Sequence, residues 1–362
     1  MTENSSDSSL LSFVEQVSGD TFLKVEENLG QGFVRLKTSE AERRQAKHDI
    51  RAVEDIIVEL LRNSRDAGCS RIFVATNTEG DFRRITVLDD GVGVPQNMQS
   101  LIFEPRVTSK LETMVIDEWG VHGRGMALFS ISQNVETCEL MASMDKGGTS
   151  LSIKSDTAKL KERADQSRWP KVRRIKENDF EVESGPKNLI RNVVEFALAN
   201  RKIDVYFGSP SEILATLYTL GSKQYESYAD AIAQTRDIDT IPLWTRPARS
   251  QEPNDICSCA SGLGFDVSLR NCYRIINGEI GVLPTVFEKI SNSFLPVVKP
   301  TDIFKDPRGL KIHSSDMRSF QIDLEKAFDT LAQKYFLSLN DEVKVKVTKD
   351  HVHVTFDYGK EQ

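Results

Sequence analysis

Three short runs lie in order between residues 59 and 125, each set between helical or strand-like stretches, and they limit what this chain can become. The first is Glu59-Leu60-Leu61-Arg62-Asn63-Ser64-Arg65-Asp66-Ala67-Gly68, the second Asp89-Asp90-Gly91-Val92-Gly93, and the third Gly120-Val121-His122-Gly123-Arg124-Gly125. Val53, Ile56, Ile57, Leu60 and Leu61 recur at helical spacing, and Gly68 is placed to end that helix. Glu59 and Asn63 then share one face, with Asp66 on an adjacent part of it. A carboxylate beside an amide can hold a hard cation and a water, and the carboxylate can take a proton from that water. The second run follows a strand-like segment, Arg84 to Leu88. Its glycines suit a turn that brings backbone against a ligand, or an ordinary surface turn. In the first case an aspartate there accepts a hydrogen bond from an exocyclic amine such as that of adenine. The third run precedes an apolar helical stretch from Gly125 to Gln133, where converging amides favour anionic oxygens. Each run alone is a weak signal; their order predicts a nucleotide site.

Around these runs the pattern alternates. Phe22 to Glu26 and Phe33 to Lys37 read as strands joined by a turn at Asn28 to Gly32. From Ser39 the pattern is helical and continues into the apolar stretch, so His48 is expected on the same helix as Glu59. Arg71 to Thr76 and Arg84 to Leu88 read as a hairpin turned at Glu79-Gly80-Asp81. Val135 to Ala142 and Thr149 to Lys154 read as another, turned at Asp145 to Gly148. Polar sequence dominates from Ser155 to Ser184. Beyond it come a helix at Asn188 to Ala199, a strand at Ile203 to Phe207 and a helix from Ser209 to Leu220. A loop is expected at Pro247 to Ser258, a strand at Leu263 to Arg270, a long helix at Ser315 to Leu339, and a closing hairpin of Glu342 to Val347 with His351 to Phe356.

The 362 residues, 39% hydrophobic, suffice for two domains with ordinary cores. No apolar run approaches the roughly 20 residues needed to span a bilayer. Met1 to Leu10 lacks the basic and apolar regions of a secretory signal, so residues 1–20 are expected to be a disordered tail and the chain cytoplasmic. Five scattered cysteines fit reduced thiols, and Cys257-Ser258-Cys259 with Cys272 is too sparse for a zinc site. A net charge of -7 argues against the whole chain being an electrostatic binder of nucleic acid. Lys159 to Lys176 is the local exception: eight basic residues and Trp169 either hold DNA or a partner protein, or form a solvated helix and linker.

The three ordered runs, with Thr149 after Gly147-Gly148, resemble the four boxes of the GHKL ATPase superfamily. That group includes MutL mismatch-repair ATPases, type II topoisomerase ATPase subunits, MORC proteins, heat-shock chaperones and sensor histidine kinases. The stretch Ile102 to Lys110, with Phe103-Glu104-Pro105 and Thr108-Ser109-Lys110, resembles the segment that opens the nucleotide lid. The resemblance covers residues 50 to 155 and is nearest to MutL-like members. It implies an α+β fold, a two-layer α/β sandwich of the Bergerat type, binding ATP and Mg2+. Glu59 would be the general base and Asn63 the Mg2+ ligand. Asp89 would bind the adenine amine, with Gly93 lining the base pocket and Thr149 supporting an adenine-bound water and Asp89; Asp66 and Gly91 would also belong to the nucleotide site. Gly120, Val121, His122, Gly123, Arg124, Gly125 and Met126 would form the phosphate loop, and Thr108, Ser109 and Lys110 would belong to the lid, Lys110 meeting phosphate or lying on the surface.

The implied layout is an ATP-binding domain at 21–156, a basic linker at 157–185 and a second α/β, transducer-like domain at 186–362. Lys299, Lys305 and Lys311 are candidate sensor lysines there, or ordinary surface lysines. The implied activity is slow hydrolysis that drives nucleotide-gated dimer closure on DNA or a protein partner. A chaperone-like clamp, a histidine-kinase-type kinase and an ATP sensor without turnover are the alternatives. The kinase is disfavoured because Glu59 is typical of hydrolases and because the segment before it is too short for a phospho-acceptor hairpin.

Overall fold

A computed structural model describes residues 25–30, 33–108, 115–117, 120–122, 125–163, 165–176, 179–227, 240–249, 252–294, 314–347 and 351–360. The expected tail at 1–20 and Lys299, Lys305 and Lys311 lie outside them. The chain forms two compact units, Met1–Phe294 and Leu295–Gln362.

The first unit is a mixed α/β structure, as the sequence predicts. Its elements begin with β1 (Val25–Gly30), β2 (Phe33–Leu36), α1 (Glu40–Asp49), α2 (Val53–Asp66), β3 (Arg71–Glu79) and β4 (Phe82–Asp89). There follow β5 (Val107–Thr108), β6 (Val115–Asp117), β7 (Gly120–His122), α3 (Ala127–Ser132), β8 (Thr137–Met144) and β9 (Gly148–Asp156). The rest are β10 (Lys171–Lys176), β11 (Asp179–Ser184), α4 (Leu189–Ala199), β12 (Asp204–Gly208), α5 (Pro210–Ser227), α6 (Pro253–Gly262), α7 (Leu269–Ile276) and α8 (Val286–Ser293). The main sheet runs β12-β3-β4-β9-β8, antiparallel except that β12 lies parallel to β3.

Burial along β3 shows how the sheet is covered. Ile72 and Val74 point into a core with Ile56, Ile57, Leu60 and Leu61 of α2 and Val193, Val194 and Phe196 of α4. Phe73 and Ala75 point the other way, against α5, α6 and α7, where the Phe73 ring stacks on Tyr206 at 4.9 Å. Strict alternation would leave one face wet; here both faces are dry, so the sandwich of sheet and α2 carries a further helical layer behind it. Each fully buried Leu, Ile or Phe contributes about 1.5–3 kcal/mol.

The structure departs from the sequence reading at five places. His48 and Glu59 lie on different helices. The Asp55 carboxylate accepts the N–H groups of Arg51 (2.9 Å) and Ala52 (3.1 Å), Ala52 is extended, and the helix restarts at Val53. Residues expected as a linker instead form the β10–β11 hairpin, whose Phe180 packs on Phe287 and Phe294. Residues 186 to 294, expected to open a second domain, complete the first unit through β12 and α4, and the division falls after Phe294. The expected loop at Pro247 to Ser258 becomes helical from Pro253, a proline suited to a first helical turn. The expected strand at Leu263 to Arg270 joins α6 to α7 without pairing. It buries Leu263, Phe265 and Val267 alternately but gives its carbonyls to side chains, Leu263 O to Ser150 (2.7 Å) and Gly264 O to Thr86 (2.8 Å).

The second unit holds α9 (Ser314–Tyr335), β13 (Leu337–Leu339), β14 (Lys344–Val347), β15 (Val352–Thr355) and β16 (Tyr358–Lys360). The long helix and the β14–β15 hairpin agree with the sequence pattern; the β13–β16 pair was not foreseen. Phe328 of α9 stacks on Phe356 at 4.8 Å. Among the described residues no helix is long and apolar enough to cross a membrane.

Candidate nucleotide site

The polar side of α2 faces a cavity of about 700 Å³ in the first unit. Glu59, Asn63 and Asp66 line it, one turn after another, because their spacing keeps them off the apolar stripe that faces the sheet. Asp89, at the end of β4, Gly93 and Thr149, at the start of β9, line it as well, so the first two sequence runs and Thr149 meet in one space. The Glu59 carboxylate is 2.6 Å from the guanidinium of Arg62, whose side chain is only 5% exposed. Arg62 thereby orients the carboxylate toward the cavity from one helical turn away.

Asp89 is the most constrained group. It is buried and accepts hydrogen bonds from Ser64 Oγ (2.8 Å) and the Gly91 N–H (2.9 Å). Burial pushes its carboxyl up to about 6; the Gly91 and Ser64 hydrogen bonds oppose that rise without cancelling it. A buried carboxylate in that condition gains from one more donor, which an adenine amine would supply. Its neighbour Asp90 faces elsewhere, bound by Ser70 N–H (2.7 Å), Ser70 Oγ (2.6 Å) and Arg71 N–H (2.8 Å). The two aspartates are therefore not interchangeable: Asp89 serves the cavity and Asp90 ties the turn behind it. The wall here is backbone. Gly93 has φ +77° and Gly148 φ +103°, and a Cβ on either would stand 2.0 Å from a carbonyl oxygen, that of Met144 or of Asp89.

Comparison with known proteins agrees with this geometry. Residues 48–159 match the family described as histidine kinase-, DNA gyrase B-, and HSP90-like ATPase. Residues 48–159 are a GHKL ATPase domain. The DNA mismatch repair protein MutL of Thermus aquaticus is 41% identical over 83 residues, 23% of this chain and 15% of that protein. MutL of Thiobacillus denitrificans is 41% identical over 76 residues, 20% of this chain and 12% of that protein. MutL of Leptospira biflexa is 39% identical over 85 residues, 23% and 14%. The chain thus spans only 12–15% of the length of these curated relatives.

Within the GHKL domain the third run reaches the cavity at its described end. Gly125 and Met126 line it, as does Thr108. Gly120, Val121 and His122 form β7, paired with β6. Ser109, Lys110, Gly123 and Arg124 lie outside the described residues. Gly91 acts through its N–H on Asp89. Arg106, buried with φ +64°, fixes the start of this segment: its N–H donates to Gly125 O (2.8 Å) and its guanidinium pairs with Glu42 of α1.

The basic stretch from Lys159 to Lys176 is partly neutralised. Lys159 pairs with Glu136, Arg163 with Asp55, Arg168 with Asp165 and Arg173 with Glu181. Among the cavity residues that sequence reasoning did not name as site residues, four bear on its polar chemistry. Ser64 and Arg62 sat within the first run, and Arg62 is at helical spacing from Glu59. Arg163, which the sequence marked only as part of the basic stretch, and Asn192, which no local pattern marked, reach the cavity from outside the GHKL match.

Proposed function

We propose that this cavity binds ATP with Mg2+ and hydrolyses it slowly, and that nucleotide-gated pairing of two copies makes the chain a switch or clamp on DNA or a protein partner. The observation that carries the reading is the convergence of Glu59, Asn63, Asp89, Gly93 and Thr149 on one cavity. Asp89 accepts the adenine amine, since it is a buried carboxylate that lines the cavity together with Gly93. Asn63 would hold Mg2+ by its amide oxygen, a hard donor suited to that cation. When bound, Mg2+ supplies charge neutralisation across the phosphate oxygens. Glu59, oriented by Arg62, takes the proton from the attacking water.

The partner side rests on the MutL relatives, whose name assigns them to DNA mismatch repair, and on the exposed cations of the β10–β11 hairpin. The test is MgATP turnover by wild type and Glu59→Ala, with light scattering on a sizing column. The reading expects slow turnover that the substitution abolishes, and an ATP-dependent dimer that the substitution traps. ATP binding with neither turnover nor dimer overturns it in favour of a nucleotide sensor.

A further inference from the structure

We infer that Arg163 is the cation that meets the terminal phosphate of the nucleotide, and so makes the site distinguish ATP from ADP; this rests on reading the cavity as an ATP site. The adenine is placed by Asp89, beside the C-terminal turns of α2, so the phosphates run toward the helix's beginning, past Asn63 to Glu59. Phosphate charge at that end needs positive partners. Among the described residues, two guanidinium groups line the cavity, Arg62 and Arg163. Arg62 is buried against Glu59 and holds that carboxylate.

Arg163 is differently placed. Its side chain is 43% exposed and pairs with Asp55, which stands one turn before Glu59 on α2. One turn is about 5.4 Å along the axis, within the swing of an arginine side chain. Its backbone, by contrast, is anchored. The wholly buried Glu54 accepts the Arg163 N–H (3.0 Å) and Gln166 Nε2 (2.5 Å) through one carboxylate oxygen, and its own carbonyl accepts Asn192 Nδ2 (3.0 Å). Gln166 in turn accepts the first N–H of α4, from Leu189 (2.9 Å). The residue is thus held on the wall that Glu59 also lines, while, among the described residues, its guanidinium is engaged by the partly exposed ion pair with Asp55. Such pairs are weak. A terminal phosphate offers the same planar fork two charged oxygens, and that exchange favours leaving Asp55. ADP ends one phosphate short of that position. Because Arg163 lies beyond the stretch similar to the GHKL family, this contact would belong to this chain's own extension of the fold.

The experiment is calorimetric titration of the full chain with a non-hydrolysable ATP analogue and with ADP, each with Mg2+. Arg163→Ala should weaken the analogue tenfold or more and leave ADP within twofold, with Arg163→Lys between. Asp55→Asn keeps an oxygen to cap Arg51 and Ala52 but releases the guanidinium, and should tighten the analogue. If Arg163→Ala weakens both nucleotides alike or neither, or if Asp55→Asn falls together with it as the other half of a structural pair, the inference is overturned while the ATP reading stands. A wild type that binds neither nucleotide overturns both.

Discussion

At the Asp89 end of the cavity the geometry is set by main chain: Asp89 pairs with Thr149 across β4 and β9, Gly91 donates to the carboxylate, and Gly93 and Gly148 lie against carbonyls with no room for a side chain. At the Glu59 end it is set by charged side chains, Glu59 with Arg62 and Asp55 with Arg163. Backbone placement has one solution, because moving it breaks a sheet. Ion pairs have several, because a ligand can exchange one partner for another. On the proposed ATP reading, a base would be recognised by a preformed wall, whereas phosphates would meet groups that rearrange on binding and on hydrolysis. Affinity and turnover should then respond to different substitutions.

The largest effect expected is at the side-chain end. Glu59→Ala should lower turnover by about 10²–10⁴-fold while ATP binding stays within a few-fold, measured by phosphate release and by titration. Parallel loss of both would show that the two ends are not separable. Next comes the backbone end: Gly148→Ala places a Cβ 2.0 Å from Asp89 O at φ +103°, and should destabilise the fold by about 3 kcal/mol or more. An unchanged melting temperature would contradict a rigid wall. Asp89→Asn should weaken ATP by about 1.5–3 kcal/mol, the worth of a hydrogen bond to a charged group, with turnover at saturation nearly kept.

The smallest effect is with pH. Because burial raises the Asp89 carboxyl to about 6, the folded protein holds that proton more tightly than the unfolded chain does. The contribution of Asp89 to stability therefore falls as pH rises from its ordinary carboxylate value to about 6, and is constant above. ATP affinity runs the opposite way. The ionised acceptor is present above about 6, and affinity should drop by up to about tenfold per pH unit below it, an effect absent in Asp89→Asn.

Much of the α2 helix and both hairpins of the sheet were legible, because helical periodicity, Gly68, and the turns at Gly80 and Gly147 are local signals. Asp89 was singled out from Asp90, as the aspartate proposed to bind the base, only through resemblance. Asp89 and Asp90 are alike in sequence, and what separates them is that Ser70 and Arg71 claim Asp90. The rest failed where the deciding contact is distant. The parallel pairing of β12 with β3 joins residues far apart in the chain, and the strand looks the same whichever sheet it enters. The break before Val53 depends on one carboxylate turned back on two amides, and helix-compatible sequence on both sides hid it. Glu54 sits on a helix that reads as charged at that point, yet it is wholly buried as the tie between α2, Arg163 and α4.

The most direct measurement is the binding of MgATP against MgGTP to wild type and Asp89→Asn at pH 7.5. Guanine carries a carbonyl where adenine carries its amine, so an ionised Asp89 should accept one and repel the other. Wild type should prefer ATP by at least about tenfold, and the substitution should narrow the gap mainly by weakening ATP. Equal affinity for the two nucleotides in wild type, or a preference that Asp89→Asn leaves untouched, would contradict this expectation.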